Sequence, residues 1–148
     1  MESTVLKTVL KETKSSCLLL INREGELLET CGDFPLNDSK TFCVLAANSI
    51  AAQKNMSELL NAPSTADCFF SLQGQNNIYF YLLNERISLL VLCSSASYPG
   101  FIRFKLEQLR DEILKYTSGI ENQNLSRYGQ ELMFDEIKDE EIDSLFNF

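Results

Sequence analysis

The spacing of apolar and polar positions divides the first 118 residues into eight elements. Val5, Leu6, Val9 and Leu10 recur at helical intervals, with Lys7, Lys11 and Lys14 on the other side, which predicts a short first helix. CLLLI (Cys17–Ile21) is an unbroken apolar run, and ELLETC follows it after Asn22-Arg23-Glu24-Gly25. Gly25 can supply a positive φ, so the pair reads as a β-hairpin with a bulged turn. Pro35 and the cluster Asn37-Asp38-Ser39 predict a loop and a helix N-cap. Thr41 to Leu60 then holds neither Gly nor Pro, and Phe42, Leu45, Ser49, Ala52, Met56 and Leu59 fall on one helical stripe. Pro63 ends that helix.

Two strand-like runs, Asp67–Gln73 and Ile78–Leu83, flank Gly74-Gln75-Asn76-Asn77. Asn84-Glu85 turns into ISLLVLC (Ile87–Cys93). A last helix opens at Ser97-Tyr98-Pro99, with Pro99 at the favoured first position. Its stripe is Ile102, Leu106, Leu109, Ile113 and Tyr116. The order is α-β-β-α-β-β-β-α. It predicts an α+β sandwich, a five-stranded antiparallel sheet with helices on both faces. Cys17–Ile21 and Ile87–Cys93, apolar throughout, belong at its centre. The more polar Asp67–Gln73 belongs at an edge, where pairing with a second copy would remove an open ladder.

Composition narrows the chemistry. The chain has 148 residues, 45% of them apolar, enough for one domain with a real core and too many for wholesale disorder. No apolar run approaches the roughly 18 residues that span a bilayer, and the N-terminus lacks the apolar segment of a secretory signal. Histidine is absent, which excludes Ser-His-Asp and Cys-His catalysis and His-ligated metals. The net charge is -8, which disfavours nucleic acid as a partner. Residues 1–118 hold 11 basic and 13 acidic groups, whereas 119–148 hold 2 and 8. A near-neutral body over 1–119 is therefore followed by an acidic segment over 120–148. There is no G-x-x-x-x-G-K-[ST] or G-x-G-x-x-G, so no nucleotide and no other cofactor is expected to bind by those devices.

The five cysteines, Cys17, Cys31, Cys43, Cys68 and Cys93, form no C-x-x-C pair. They read as buried thiols in a reducing compartment, with a redox or nucleophilic thiol as the alternative. Five arginines are candidates for insertion into a partner's active site. Arg23 and Arg86 lie in turns, Arg103 and Arg110 on the outward side of the last helix, and Arg127 in the acidic segment. Ordinary solvated charge is the competing account.

LLLINREGELLETCG, VLAANSIAA, ISLLVLC and YPGFIRFKLEQL, in that order, resemble the roadblock (dynein light chain) family over residues 1 to 119. MFDEIKDEEIDSLF (Met133–Phe146) is similar to the C-terminal segment of the MglB branch of gliding-motility and polarity proteins. The resemblance implies a cytoplasmic homodimer, concentrated at a cell pole, that regulates a small Ras-like GTPase of the MglA type. It implies acceleration of GTP hydrolysis by rearranging the GTPase's own Arg and Gln, with no inserted finger. It also implies an effect on nucleotide exchange through the C-terminal segment. The chain would then be a regulator and not an enzyme. A scaffold that binds a GTPase or another roadblock subunit without altering turnover is the alternative.

Two surfaces carry the expected contacts. Ala47, Asn48, Ala51 and Asn55, with Ala52 beside them, give the second helix a small-residue face that lets another backbone approach. Packing within a dimer, or plain helix propensity, explains the same residues. In the tail, Phe134, Ile137, Ile142, Leu145 and Phe146 gather on half of a helical wheel, suited to a groove on a partner. A solvated acidic tail is the alternative there.

Overall fold

A computed structural model of the chain describes residues 4–34, 37–62, 67–71, 77–93 and 98–120. One compact unit covers Met1–Leu114, and a second begins at Lys115. The elements are α1 (Thr4–Thr13), β1 (Cys17–Asn22), β2 (Leu27–Gly32), α2 (Ser39–Leu59), β3 (Cys68–Ser71), β4 (Asn77–Leu82) and β5 (Ile87–Cys93), followed by α3 over 99–120. This is the expected order. Asp38 caps α2, its carboxylate accepting from the Thr41 N–H at 3.1 Å and the Thr41 hydroxyl at 2.6 Å. Those bonds hold the Asp38 carboxyl below its ordinary pKa.

The strands form one antiparallel sheet in the order β2-β1-β5-β4-β3. β5 is central and buried along its whole length, and β1 beside it is buried from Cys17 to Ile21. Both were expected inside. The sequence-predicted edge strand is an edge, where Cys68–Ser71 pair with β4. β4 is as deeply buried as β1, despite two tyrosines and an asparagine.

Alternation along the strands makes two cores. Cys17, Leu19, Ile21, Ile78, Phe80, Leu90 and Leu92 pack with Cys43, Ala46 and Ala47 of α2 on one face. The opposite residues, Leu18, Leu20, Tyr79, Tyr81, Leu89 and Val91, are covered by α1 and α3. The two helices meet through Lys105 and Glu12, 3.4 Å apart, and Lys14 and Lys105 both lie over the Phe101 ring at 5.8 Å.

Two buried tyrosines join α3 to the sheet. The Tyr81 hydroxyl donates to Glu107 Oε1 at 3.0 Å and accepts from Arg110 Nη1 at 2.9 Å. Arg110 also donates to the Leu83 carbonyl at 2.8 Å and the Leu82 carbonyl at 3.4 Å, at and just past the end of β4. Arg110 was expected on the outward side of α3. It turns inward instead, because strand-end carbonyls and a buried phenol need a donor. Tyr79 donates to Asp67 Oδ2 at 2.8 Å, and Arg103 lies 3.8 Å from the same oxygen. Burial first, and then the carboxylate acceptor, push the Tyr79 phenol well above its ordinary pKa. Burial also leads the upward shift of Tyr81, opposed by the Arg110 donor.

Asparagines build the two turns at one end of the sheet. Asn22 Oδ1 accepts from the Glu24 and Glu26 N–H groups at 3.1 and 2.8 Å. Asn84 Oδ1 accepts from the Arg86 and Ile87 N–H groups at 2.7 and 2.8 Å. The turns are neighbours because Asn22 pairs with Ile87. The register slips between Leu20 and Ile21, the bulge expected for this hairpin. Gly25 has φ +87°, and a Cβ there would lie 2.8 Å from Val44 Cα, so the turn sits directly on the backbone of α2.

Gly32 and Arg110 are the positions where stability is most sensitive to these contacts. Gly32 has φ +87°, and a Cβ there would collide with the Ser16 carbonyl oxygen. Gly32→Ala is expected to cost about 2 kcal/mol or more in urea unfolding. Arg110→Met strands the Leu82 and Leu83 carbonyls and is expected to cost about 2 kcal/mol. The exposed Arg103, changed to Met, is expected to cost under about 1 kcal/mol. Equal losses for the two arginines would refute the inward role of Arg110.

Candidate functional site

α2 runs for 21 residues, yet only Cys43, Ala46 and Ala47 are buried. A ridge of small side chains lets the helix lie close to the sheet, and the larger apolar residues are left on its far side. Leu45 is 62% exposed, Met56 56% and Leu59 85%. The stripe read from the sequence therefore faces away from the sheet, except at Ser49, which is half-buried, and at Phe42, half-buried against Phe34 with ring centroids 5.3 Å apart. An isolated helix would not hold so many large apolar groups in water without a partner surface.

The predicted small-residue face divides. Asn48, Ala51, Ala52 and Asn55 are exposed and share the outward side with Leu45, Met56 and Leu59. Ala47 does not belong to that surface. It is turned to the sheet and packed in the core, since a helix seated on Cys43 must seat its next turn on Ala46 and Ala47. Leu45, Met56 and Leu59 were not among the expected surface contacts. Their signal was present: a stripe of large residues on a helix whose opposite face already offered Cys43, Ala46, Ala47 and Ile50 for the core. Phe134, Ile137, Ile142, Leu145 and Phe146 lie outside the described residues, as does Arg127.

A groove of about 790 Å³ opens between the second half of α2 and the turn end of the sheet. Ala51, Lys54 and Asn55 line it on one side, with Leu82, Arg23 and Arg86 among the residues opposite. Both turn arginines are exposed there. The groove offers backbone turns, amides, small side chains, the cations of Arg23, Lys54 and Arg86, and the carboxylates of Glu58, Glu85 and Glu107. Among the described residues no group of three or more His, Cys, Asp or Glu could hold a metal ion. All five cysteines are free thiols, and Cys68 alone is only half-buried. Burial pushes the Cys17 and Cys43 thiols up, away from the thiolate form that a nucleophile needs. No helix among the described residues is long and apolar enough to cross a membrane.

No protein-family model and no curated protein matches the sequence. Solved structures do match the fold. Myxococcus xanthus MglB superposes with a TM-score of 0.69 at 19% identity, over 78% of this chain and 93% of that one. The gliding protein MglB of Thermus thermophilus gives 0.62 at 20% identity, over 72% and 80%. A Roadblock/LC7 domain from Streptomyces avermitilis gives 0.67 at 10% identity, over 77% and 95%. At such identities the likeness is one of architecture. This chain has the roadblock fold, similar to that of MglB.

Proposed function

We propose that the chain is a homodimeric regulator of a small Ras-like GTPase of the MglA type, with α2 as its docking element. The observation that carries the reading is the outward face of α2, where Leu45, Met56 and Leu59 flank the low ground of Asn48, Ala51, Ala52 and Asn55. A second copy meeting the first along α2 and the β3 edge would cover the large apolar residues. Each such side chain, once fully buried, contributes about 1.5–3 kcal/mol. The small residues then form a shallow floor between two helices, where a GTPase can approach closely.

The resemblance to the MglB family supplies the partner class and the direction of the effect, acceleration of GTP hydrolysis. In this reading the chain positions the GTPase, and the hydrolytic chemistry belongs to the GTPase. In the same reading residues 1–119 are the docking body. The acidic segment over 120–148 acts on nucleotide exchange through Phe134, Ile137, Ile142, Leu145 and Phe146. The setting is cytoplasmic, at a pole of a polarised or gliding cell.

Sedimentation tests the dimer. Leu59→Glu places a charge in the self-contact and is expected to reduce the sedimenting mass to that of one chain, with its circular dichroism unchanged. A Leu59→Glu protein that still sediments as a dimer refutes the α2 contact. Single-turnover GTP hydrolysis tests the activity, using the MglA-type GTPase of the same organism. The wild-type chain, both full-length and cut after Gln130, is expected to accelerate hydrolysis. Ala51→Arg is expected to abolish acceleration by steric intrusion while the dimer survives. Full acceleration by a folded Ala51→Arg dimer overturns docking on α2. Binding of the wild-type chain without acceleration leaves the scaffold reading.

A further inference from the structure

The opposite face of the molecule carries a second surface that the α2 reading does not use. Where the C-terminal end of α1 meets the start of α3, Tyr98 is 76% exposed, Phe104 57% and Phe101 36%. The Lys14 and Lys105 ammonium groups both lie over the Phe101 ring at 5.8 Å. Lys7 and Lys11 are the exposed cations of α1, Lys14 follows at its end, and Lys105 adds a fourth from α3. Glu12, the carboxylate set among them, is engaged by Lys105 at 3.4 Å. Lys14 and Lys105 are thus brought together on one ring, with Lys11 one turn before Lys14 and Glu12 bound by Lys105, in a chain of net charge -8.

We infer that this face binds the surface of an anionic lipid bilayer, with Phe104 and Tyr98 entering the headgroup layer and Lys11, Lys14 and Lys105 meeting lipid phosphates. The chemistry of the face fits that occupant in two respects. Protruding aromatic side chains set among lysines are the composition of an interfacial contact, in which rings sit at headgroup depth and ammonium groups reach outward to phosphate. The charge is also complementary and local. The acidic surplus lies mainly in residues 119–148, whereas α1 and the start of α3 are basic. A lysine close to an anionic surface raises partitioning by about fivefold. Phe101 holds two lysines side by side, which reduces the ordering required on contact.

The test is co-sedimentation of the full chain with vesicles, either pure phosphatidylcholine or an equal mixture with phosphatidylglycerol. The expected result is binding to the mixed vesicles alone, weakened by added salt. Lys14→Glu with Lys105→Glu is expected to lower partitioning by about 30-fold or more. Phe104→Ser, which alters an exposed ring and leaves the core intact, is expected to lower it severalfold at unchanged thermal stability. Equal binding to both vesicle types overturns the inference, as does wild-type partitioning by either variant. A competing occupant is an acidic, phenylalanine-bearing peptide. If a synthetic peptide with the sequence of residues 131–148 binds the full chain in a Lys14- and Lys105-dependent way, and the mixed vesicles do not, the lipid assignment is wrong.

Discussion

Burial of the central strands on both faces governs the rest of this structure. β1, β4 and β5 present apolar side chains alternately up and down, so neither face of the sheet can be left to water. Two helices cover one face. Among the described residues α2 alone covers the other, and it reaches the sheet by offering Cys43, Ala46 and Ala47, groups small enough for close contact. Such a contact buries little of α2 itself. Leu45, Met56 and Leu59 are consequently directed outward, and an exposed apolar surface results from the way the fold completes its own core.

The polar residues of the interior obey the same constraint. β4 can hold Tyr79 and Tyr81 inside because Asp67, Glu107 and Arg110 receive or supply their hydrogen bonds. Arg110 also donates to the Leu82 and Leu83 carbonyls at the end of β4. The α3 face is thus fixed by directional bonds as well as by packing, whereas α2 rests on the sheet through packing and the Gly25 turn. The face fixed by directional bonds carries the lysine–aromatic surface, and the less buried helix carries the small-residue one.

Much of the fold was legible in the sequence where local chemistry and global need agree. The unbroken runs Cys17–Ile21 and Ile87–Cys93 announced interior strands, Pro99 the start of α3, Asp38 a cap and Gly25 a bulged hairpin. Orientation was harder to read. Helical periodicity in α2 reveals two stripes, and size alone favours the one with Leu45, Met56 and Leu59 for the core. The sheet takes the smaller one, because nearness to a flat, filled surface outweighs hydrophobicity per residue. Ala47 was misplaced for that reason. Arg110 was misplaced because its partners are the Tyr81 hydroxyl and two main-chain carbonyls, brought to it only by the fold. Within the expected strand Asp67–Gln73, Cys68–Ser71 pair with β4, and Leu72 and Gln73 lie outside the described residues.

The pairing of β1 with β5 has a consequence in time. Ser16 bonds to Leu92 across 76 residues of chain, and the first strand finds its inner neighbour only when the last is available. During synthesis the β1–β2 hairpin and α2 leave the ribosome well before Ile87–Cys93. Closing so long a loop precedes any reward from the central ladder, which slows folding. Through that interval half of the sheet core has no cover, and the apolar side of α2 is already exposed. A nascent chain of this topology is therefore most vulnerable to its own siblings on the same message, through the apolar side of α2 that the sheet leaves uncovered.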